Sequence, residues 1–473
     1  MHSQGIFAAV AASSPTAALI TADRTWTRDE LLAAAEDLSE RLGLHAPGGV
    51  VFAELVDAAA TAVVTFAADR AGLFVVHRDP GATADSPRSG PVVRDSPLSS
   101  GPGQVTWTAP SGDVTLAIST TSTDGSTPHD DLLSGGAQIF LTSGSTAAPS
   151  AVVRRAAAVL ADARRVARAL DYAPDAPVVC AAPLFHAYGF NYGLVAPLLA
   201  GAPVRVLPGR SLPSQCAAAA RELGARTLIA LPAHYRLLAT GSGQGHAARG
   251  LDRLGAAVSA GAPLPQALLD RSEDGLGFPL YNCYGSSEAG AVTLTRVAAG
   301  QEPGDIGEPL PGIKARIEDG ELWIHTSSLA LGRAEPNTLA GFAPLAGPDG
   351  WYRTGDLARR DPTASGRLRL LGRAATVINV AGEKVAPAEV EEMIARCEGV
   401  LDVQVSAASD PVRGQVPTAR VVLRPSVTER QLVAWCRARL APQQMPRRFE
   451  IVEWIARSAT GKPLAEPGPQ ESL

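Results

Sequence analysis

Apolar runs alternate with helical patterns along the first part of the chain. Residues 27–43 place leucines on one face of a helix that starts with a Thr27–Glu30 capping box. The apolar run 50–55 predicts a buried strand, and the segment 57–72 predicts a second helix that ends at a glycine. The same alternation resumes after a Ser-, Thr-, Pro- and Gly-rich stretch over 80–135. This β-α-β order predicts an α/β fold built on parallel sheet.

The pattern changes at about residue 305, where short strands separated by turns predict a β-rich subdomain. A smaller unit with two helical and three strand patterns follows Arg373 and indicates an α+β module. We therefore predict a large N-terminal domain, residues 1–373, with parallel or mixed sheets, helices and the β-rich subdomain. Residues 374–473 are predicted to form a small C-terminal domain.

The composition is that of a globular protein. Of 473 residues, 46% are hydrophobic, and the net charge of -5 argues against nonspecific binding to nucleic acid or to an anionic membrane. The five cysteines include no CxxC pair, which disfavours a disulfide framework or a zinc site and suits a reducing cytosol. No run of about 18 apolar residues predicts a membrane span, and the first residues show no signal-peptide pattern. We expect a cytoplasmic protein.

Two segments place polar or aromatic side chains directly after predicted strands. IFLTSGSTAAPS, residues 139–150, runs from a strand into a loop whose hydroxyls and backbone N–H groups can surround phosphate oxygens. An ordinary polar turn is the alternative interpretation. PLFHAYGFNYG, residues 183–193, gathers four aromatic side chains around His186. This grouping predicts an aromatic-walled pocket with a histidine near its mouth, and the start of a core helix is the alternative.

Four later segments add carboxylates and cations. LYNCYGSSEAG offers hydroxyls for a phosphate and Glu288 for a magnesium ion. WYRTGDLARRD is predicted to place Asp356 in a turn, where a carboxylate can accept two ribose hydroxyls. GRAATVINVAGEKVAPAEVEEMI joins Arg373 to a glycine-containing turn and a helix, and SATGKP places Lys462 in a turn. Each segment alone is compatible with an ordinary surface turn.

Together, the order and spacing of these motifs are specific. TSGSTAAPS, PLFHAYG, YGSSE, YRTGDL with GR, and TGK span residues 142–462, and TWTRDELL and FAADRAGLFVVHRDP extend the similarity toward the N-terminus. The chain resembles the adenylate-forming acyl-CoA ligase superfamily of acyl- and aryl-CoA synthetases, adenylation domains and luciferases. The resemblance implies that an acid and ATP with Mg²⁺ give an acyl-adenylate and pyrophosphate. A thiol of CoA or of a carrier protein's phosphopantetheine then displaces AMP, after the C-terminal domain rotates.

The resemblance also implies a role for each matching residue. Asp356 would hold the ribose hydroxyls with help from Arg373, and Tyr284 would stack on adenine. Lys462 would bridge the acid oxygen and the α-phosphate, and Glu288 would bind magnesium. We expect Lys462, His186 and Glu288 to be the catalytic residues. The other implied ATP-binding residues are Thr142, Ser143, Gly144, Ser145 and Thr146 at the β- and γ-phosphates, Gly285, and Ser287 at the α-phosphate.

The acid pocket is predicted around the aromatic segment. His186 matches a position at the acid site of the family, and the turn 259–263 resembles the loop beside adenine and the acid. The segment carries no aspartate to pair with an α-ammonium group, which argues against an amino acid and favours an aryl or cinnamate-like acid. An apolar pocket for a short acyl chain is the alternative. The predicted pocket residues are Phe185, His186, Tyr188, Asn191, His234, Tyr235 and Gly261.

Three positions depart from the family pattern. Ala375 stands at the hinge, where relatives commonly have Asp or Lys, so we expect the two domain orientations to be closer in energy. Ser150 stands where the phosphate loop usually has a lysine, and Arg154 or Arg155 is the candidate substitute for the missing charge. Asn379 replaces a lysine of many relatives. We expect the phosphate loop to be where this protein differs from the family.

Three functions from two classes fit these features. The leading hypothesis is an AMP-forming ligase that activates an aryl or acyl acid and passes it to CoA or to a carrier protein. A second is a divergent relative that activates nitrite with ATP to diazotise an aromatic amine. A third is a non-catalytic binding protein, which the retained polar residues disfavour. The chain has three lysines against 39 arginines, and Lys462 persists where a slim point charge must reach between two oxygens.

Overall fold

The computed structural model describes most of the chain. It describes residues 5–45, 49–80, 92–94, 104–109, 115–119, 136–142, 150–208, 211–240, 251, 253–264, 266–270, 276–302, 304–336, 339–361 and 366–456. The α-helices in these ranges are α1 (Ile6–Ala11), α2 (Arg28–His45), α3 (Ala58–Arg70), α4 (Ala156–Ala169), α5 (Ala187–Phe190), α6 (Ala196–Ala200), α7 (Pro213–Leu223), α8 (Pro232–Thr240), α9 (Gln266–Leu269), α10 (Pro387–Ala395) and α11 (Glu429–Arg437). A π-helix, Asn191–Val195, lies between α5 and α6, and a 3-10 turn spans Ala374–Thr376.

The strands follow the same numbering in chain order. In the first half of the chain they are β1 (Ala18–Ile20), β2 (Thr25–Thr27), β3 (Val50–Glu54), β4 (Phe74–His77), β5 (Val92–Arg94), β6 (Gln104–Thr108), β7 (Thr115–Ser119), β8 (Ala137–Thr142), β9 (Ser150–Arg155), β10 (Val178–Cys180), β11 (Val204–Val206), β12 (Thr227–Ala230) and β13 (Ala256–Ser259). The later strands are β14 (Leu280–Ser286), β15 (Gly290–Arg296), β16 (Asp305–Gly307), β17 (Lys314–Glu318), β18 (Glu321–His325), β19 (Gly332–Ala334), β20 (Ala343–Pro344), β21 (Tyr352–Arg360), β22 (Leu368–Arg373), β23 (Ile378–Val380), β24 (Glu383–Val385), β25 (Val400–Asp410), β26 (Gly414–Leu423) and β27 (Arg448–Ile451).

Two large mixed sheets form the N-terminal part of the fold. One has the strand order β15-β14-β13-β12-β10-β11-β1-β2, and the other has the order β20-β19-β9-β8-β4-β3-β5-β7-β6. In the first sheet, β14 through β1 are parallel neighbours, so the segments after β10, β12, β13 and β14 emerge at one edge. Ligands of open α/β sheets bind at the carboxyl ends of such strands. The prediction of an α/β fold is confirmed.

A third, antiparallel sheet carries the β-rich subdomain, with the order β16-β22-β21-β18-β17. Asp356 lies inside strand β21, opposite Arg373 of β22, and the prediction of a turn at Asp356 is therefore wrong. Alternate residues of β21 are buried, and this period of two extends the strand through the glycine before Asp356. Gly355 has φ = +76°, a value that glycine adopts without strain.

The C-terminal residues form their own α+β unit. Strands β24-β23-β26-β25 make one sheet to which β27 adds in parallel, and α10 and α11 pack on it. Its core is a separate apolar cluster that includes Ile378, Val390, Val421 and Leu432. The predicted fold class is confirmed by this arrangement. The boundary between residues 373 and 374 stays a prediction.

The capping box predicted at the start of α2 is present. The Thr27 N–H donates to Glu30 Oε2 at 2.8 Å, and the Glu30 N–H donates to Thr27 Oγ1 at 3.2 Å. These two bonds satisfy N–H groups that have no partner within the helix. The helix continues two residues beyond its predicted end, to His45. The backbone hydrogen bond from Thr27 is the main reason that the pKa of Glu30 is lowered.

His77 is a buried histidine of β4, the strand that lies between β8 and β3 in the nine-stranded sheet. Its ring stacks on Phe140 of β8, with 5.0 Å between ring centroids, and Phe190 lies at 4.8 Å. Its Nε2 donates to Gln138 Oε1 at 2.7 Å. Burial lowers the pKa of His77 to about 4, against the opposing effect of the Gln138 hydrogen bond. The imidazole is therefore neutral at pH 7.

We predict that His77 makes the fold sensitive to mild acid. The folded-state pKa of about 4 lies below the ordinary value of 6.5, so the unfolded chain binds a proton first as the pH falls. The free energy of unfolding should decrease between pH 6.5 and pH 4 by about 3 kcal/mol from this residue. Urea denaturation at several pH values, compared between the native protein and His77→Gln, measures the effect. A stability difference between the two proteins that stays constant with pH would contradict it.

Candidate active site

Tyr284 and Arg373, two of the predicted nucleotide-binding residues, both contact the carboxylate of a third, Asp356. The Tyr284 hydroxyl donates to Asp356 Oδ2 at 2.6 Å, and Arg373 Nε donates to Asp356 Oδ1 at 2.8 Å. Arg373 Nη1 also donates to the Thr354 carbonyl at 3.3 Å. Burial, followed by the neighbouring Asp356 carboxylate, raises the pKa of Tyr284 well above its ordinary value. The phenol therefore remains a hydrogen-bond donor to Asp356 at neutral pH.

Backbone geometry explains why these side chains converge. Tyr284 lies near the carboxyl end of β14, and β14 turns back into β15 through a register shift between Tyr284 and Gly285. A Cβ atom at Gly285 would lie 2.3 Å from the Gly290 carbonyl oxygen, so only glycine fits there. On the other side, Asp356 and Arg373 are register partners of β21 and β22. The carboxylate thus sits where the antiparallel subdomain meets the parallel sheet.

Glu288 lies in the turn between β14 and β15 and is held by an arginine. Arg333 donates from Nε and Nη2 to Glu288 Oε1 at 3.0 and 2.6 Å, and Nη2 also donates to the Tyr352 hydroxyl at 3.3 Å. Burial works to raise the pKa of Glu288, but the charge and hydrogen bonds of Arg333 outweigh it and hold the pKa below its ordinary value. Glu288 is therefore an ionised, buried carboxylate with a guanidinium as its counter-charge.

The arrangement around Glu288 does not fit a magnesium ion on the paired oxygen. Arg333 fills the coordination space of Oε1, and magnesium requires several oxygen ligands in near-octahedral geometry. Among the residues that the structure describes, no three His, Cys, Asp or Glu side chains are grouped as metal ligands. Magnesium binding by Glu288 stays a prediction that would require Arg333 to move away.

The ends of the predicted phosphate loop lie on adjacent strands. Thr142 ends β8 and Ser150 begins β9, and their hydroxyls are 3.0 Å apart. The predicted residues between them, Ser143, Gly144, Ser145 and Thr146, lie outside the described residues, as does Lys462. The Ser287 hydroxyl, predicted at the α-phosphate, follows the carboxyl end of β14.

Arg154 is not a substitute for the missing phosphate-loop lysine. Its side chain is 1% exposed, and Nη2 donates to Asp162 Oδ2 at 3.3 Å and to the Ser328 carbonyl at 3.0 Å. Because the side chain is buried against Asp162 of α4, it cannot reach a ligand in solvent. Arg155, the second candidate, is exposed at the start of α4.

Part of the predicted acid pocket lies at the carboxyl edge of the eight-stranded sheet. The rings of Phe185 and His186 are partly exposed and 4.5 Å apart, directly before α5. The Tyr188 hydroxyl donates to the carbonyls of Ala230 and Val258, at 3.2 and 2.7 Å. These carbonyls belong to β12 and β13. Gly261, with φ = +91°, follows β13 at the same edge.

Three predicted pocket residues make structural contacts within the protein. Tyr235 is fully buried in an apolar cluster, and its hydroxyl donates to the carbonyls of Leu228 and Val258. His234 Nε2 donates to the Ser211 carbonyl at 3.1 Å and so joins α8 to the loop before α7. Its Nδ1 accepts the N–H of Leu231, directly before α8, at 3.4 Å. Burial is the main cause that lowers the pKa of His234. Asn191 is 1% exposed and belongs to a buried polar network.

That network centres on Asp162 of α4 and was not identified from the sequence. Asp162 Oδ2 accepts Asn191 Nδ2 at 2.6 Å, and Oδ1 accepts the Ala291 N–H at 2.9 Å. Arg165 donates to the hydroxyls of Ser328 and Thr326 at 2.9 and 3.1 Å. The signal in the sequence was the pair of opposite charges, Asp162 and Arg165, three residues apart on an otherwise apolar face of α4. The network joins α4 to the π-helix, to the β14–β15 turn and to β9.

The hinge segment is a short exposed turn. Ala375 is exposed within Ala374–Thr376, and the Thr376 hydroxyl donates to the Arg373 carbonyl at 3.0 Å. The contact between the β-rich sheet and α10 includes an ion pair of Arg369 with Glu392 at 3.6 Å. Asn379 Oδ1 accepts the Gly382 N–H at 2.8 Å and so shapes the β23–β24 turn. The effect of Ala375 on domain rotation stays a prediction.

Family models match both parts of the chain. The model described as AMP-binding enzyme matches residues 103–332, and the model described as AMP-binding enzyme C-terminal domain matches residues 389–462. The chain belongs to this family of adenylate-forming enzymes, as the motifs predicted. No helix among the described residues is both long enough and apolar enough to cross a membrane.

Curated relatives carry CoA ligase names. A 3-[(3aS,4S,7aS)-7a-methyl-1,5-dioxo-octahydro-1H-inden-4-yl]propanoyl:CoA ligase of Rhodococcus jostii is 29% identical over 336 residues, which cover 68% of this chain and 63% of that protein. A 2-succinylbenzoate–CoA ligase of Salmonella typhimurium is 31% identical over 309 residues, which cover 65% of this chain and 63% of the relative. The chain thus matches somewhat less than two thirds of the length of both ligases.

A solved structure shows the same fold across the whole chain. The o-succinylbenzoate CoA synthetase of Bacillus subtilis, in complex with its acyl-adenylate intermediate, superposes with a TM-score of 0.76. The match covers 98% of this chain and 97% of that one, at 21% sequence identity. The similarity in fold therefore includes the β-rich subdomain and the C-terminal unit.

We predict that Asp162 is essential for the stability of the N-terminal part. Asp162→Ala leaves two buried guanidinium groups without their carboxylate, and the free energy of unfolding should fall by about 3–5 kcal/mol. Glu222→Ala is a matched control, because Glu222 pairs with Arg205 at 2.7 Å on the surface, where loss of a pair costs about 0–1 kcal/mol. Equilibrium chemical denaturation measures both changes. Equal losses of stability in the two variants would contradict the prediction.

Proposed function

We propose that this protein activates a carboxylic acid with ATP, forming an acyl-adenylate and releasing pyrophosphate. Membership of the adenylate-forming family supports the reaction class. The observation that carries the proposal is the meeting of Tyr284, Asp356 and Arg373 at the carboxyl edge of a parallel sheet. A buried carboxylate held by a phenol and a guanidinium is well placed to exchange those partners for two ribose hydroxyls.

The chemistry needs positioning and charge more than a protein nucleophile. A carboxylate oxygen of the acid attacks the α-phosphorus of ATP, a new C–O–P link forms, and the bond from the α-phosphorus to the bridging oxygen breaks. Pyrophosphate leaves with that electron pair. Asp356 and Arg373 fix the ribose, the Tyr284 ring covers the adenine, and Ser287 meets the α-phosphate. Lys462 approaches the reacting oxygens from the C-terminal domain.

The second half of the proposed reaction transfers the acyl group to a thiol. The thiolate of CoA attacks the acyl carbon, and the bond from that carbon to the oxygen that links it to phosphorus breaks. AMP leaves with that oxygen and the electron pair. The CoA ligase names of the two curated relatives support CoA as the acceptor. A carrier-protein phosphopantetheine presents the same thiol, and Ala375 is the proposed pivot of the rotation that admits either one.

We infer an aryl acid as the favoured substrate. Partly exposed Phe185 and His186 present ring surfaces beside the edge where Tyr188 anchors to β12 and β13. Flat aromatic ligands gain from such offset and tilted ring contacts. One curated relative is named for a benzoate-type acid and the other for a saturated bicyclic propanoate, so the names support the acid class more broadly. No observation favours the nitrite alternative over a carboxylic acid.

Pyrophosphate release with a panel of acids tests the proposed reaction. We expect release with at least one aryl acid, a lower rate with short-chain acids of two to four carbons, and formation of a thioester when CoA is present. Parallel reactions contain nitrite with an aromatic amine, or no acid. Release that requires nitrite and the amine would replace the proposal with diazotisation. Absence of release with every acid would favour a non-catalytic binding protein.

Asp356→Asn should weaken ATP use without unfolding the protein. The amide keeps the shape of the side chain but loses the charge-assisted hydrogen bonds, which contribute about 1.5–3 kcal/mol each. We expect the KM for ATP to rise about ten- to a hundredfold. Asp305→Asn is the control, because Asp305 pairs with Arg367 at 2.6 Å in the same sheet but outside the proposed site. A KM that changes equally in both variants would refute the role of Asp356.

A further inference from the structure

The Glu288–Arg333 pair lies beside the strand that follows the phosphate loop. Arg333 is in β19, which runs antiparallel to β9, and its register partner is Val152. Val152 is two residues beyond Ser150, the position at which the family usually has a lysine. An arginine side chain that extends from this register position is therefore close to the base of the loop between β8 and β9.

Arg333 keeps donors available for a further anion. Among the described residues, its hydrogen bonds use Nε and Nη2, and these bonds go to Glu288 and Tyr352. A guanidinium carries five N–H donors in a planar fork, so Nη1 still offers two. The Arg333 side chain is 44% exposed, whereas that of Glu288 is 9% exposed. The carboxylate fixes the guanidinium from the protein side and leaves its outer edge to solvent.

One face of strand β21 runs from Arg333 to the proposed ribose site. Tyr352, Thr354 and Asp356 occupy alternate positions on the buried face of β21. Tyr352 meets Arg333 at one end of the row, and Asp356 meets Tyr284 at the other. Four residues of strand span about 13 Å, a length comparable to the distance from the ribose to the terminal phosphate of ATP.

We propose that Arg333 is a phosphate-binding residue that supplies to the β- and γ-phosphates of ATP the positive charge that Ser150 cannot. This inference rests on the proposed function, because it takes ATP as the ligand. Glu288 acts here as a positioning residue, which holds the guanidinium by its Nε–Nη2 side and aims Nη1 toward the phosphates. Arginine is suited to this role because its planar fork binds a carboxylate and a phosphate at the same time.

Binding of ATP and AMP to the purified full-length protein, measured by calorimetry without acid substrate, tests the proposal. Arg333→Gln should weaken ATP binding about ten- to a hundredfold, the loss that one charge-assisted contact gives, in Mg²⁺ and in EDTA alike. AMP has no β- or γ-phosphate, so its affinity should change less than about threefold. Arg353→Gln is the matched control, because Arg353 pairs with the buried Glu321 at 2.6 Å and lies on the outer face of β21. It should change neither affinity.

The double variant Arg333→Gln/Glu288→Gln separates phosphate binding from a structural role. It leaves no unpaired buried carboxylate, so it should fold even where the single variant is unstable. If Arg333 binds phosphate, the double variant still binds ATP weakly and AMP normally. Wild-type ATP affinity in either variant, or equal losses for ATP and AMP, would overturn the proposal.

The same measurements distinguish this inference from the proposed function. Native protein that binds ATP and AMP but activates no acid contradicts the proposed reaction and leaves Arg333 as a phosphate-binding residue. Native protein that binds neither nucleotide overturns both. Selective loss of ATP binding in Arg333→Gln, together with acid activation by the native protein, supports both.

Discussion

The arrangement of the site depends on one buried carboxylate, that of Asp162. A charge removed from water is tolerated only when other charges and hydrogen-bond donors surround it, and Asp162 has Arg154, Asn191 and the Ala291 N–H in contact. The three partners belong to three different elements, β9, the π-helix and β15. Gly290 must be a glycine, because a Cβ atom there would lie 2.2 Å from Asp162 Oδ2. The carboxylate thus fixes β9, the π-helix and the β14–β15 turn in one geometry.

The same network explains why Arg154 cannot serve the phosphates. Arg154 of β9 and Arg333 of β19 differ in their surroundings, because one is buried and the other is partly exposed. Arg154 pairs with Asp162 inside the protein, whereas Arg333 pairs with the buried Glu288 and keeps its own outer edge exposed. Abundant arginine does not by itself replace a lost lysine, because burial and pairing decide which guanidinium can reach a ligand: the Arg154 side chain is 1% exposed and that of Arg333 is 44% exposed. Because β19 pairs with β9, Arg333 lies close to Ser150, the loop position that lacks a lysine.

Local patterns predicted the secondary-structure elements well, and three of the residues predicted to bind the nucleotide lie in contact. The capping box of α2, the parallel strands and the antiparallel subdomain follow from periodicity and turn residues, which act over a few positions. Tyr284, Asp356 and Arg373 are predicted nucleotide-binding residues because their motifs are continuous segments of the sequence. Adjacency in sequence to a strand end did not tell that Tyr235 turns into the core or that His234 bonds to the Ser211 carbonyl, and their place in the pocket stays a prediction. The Arg333–Glu288 pair joins residues 45 positions apart, and no local pattern encodes it.

The ion pair of Glu288 with Arg333 places a positive charge beside this carboxylate in the free protein. A buried carboxylate without a cation would be costly, so the charge of ionised Glu288 must be stabilised in the free protein. Arg333 does this with the shortest contact to the carboxylate, 2.6 Å, and it stays charged at every physiological pH. Because the guanidinium is covalently part of the protein, its charge is present without a metal-binding equilibrium. If Arg333 binds the β- and γ-phosphates as proposed, this fixed cation favours the triphosphate over the monophosphate and retains that preference when free magnesium is scarce.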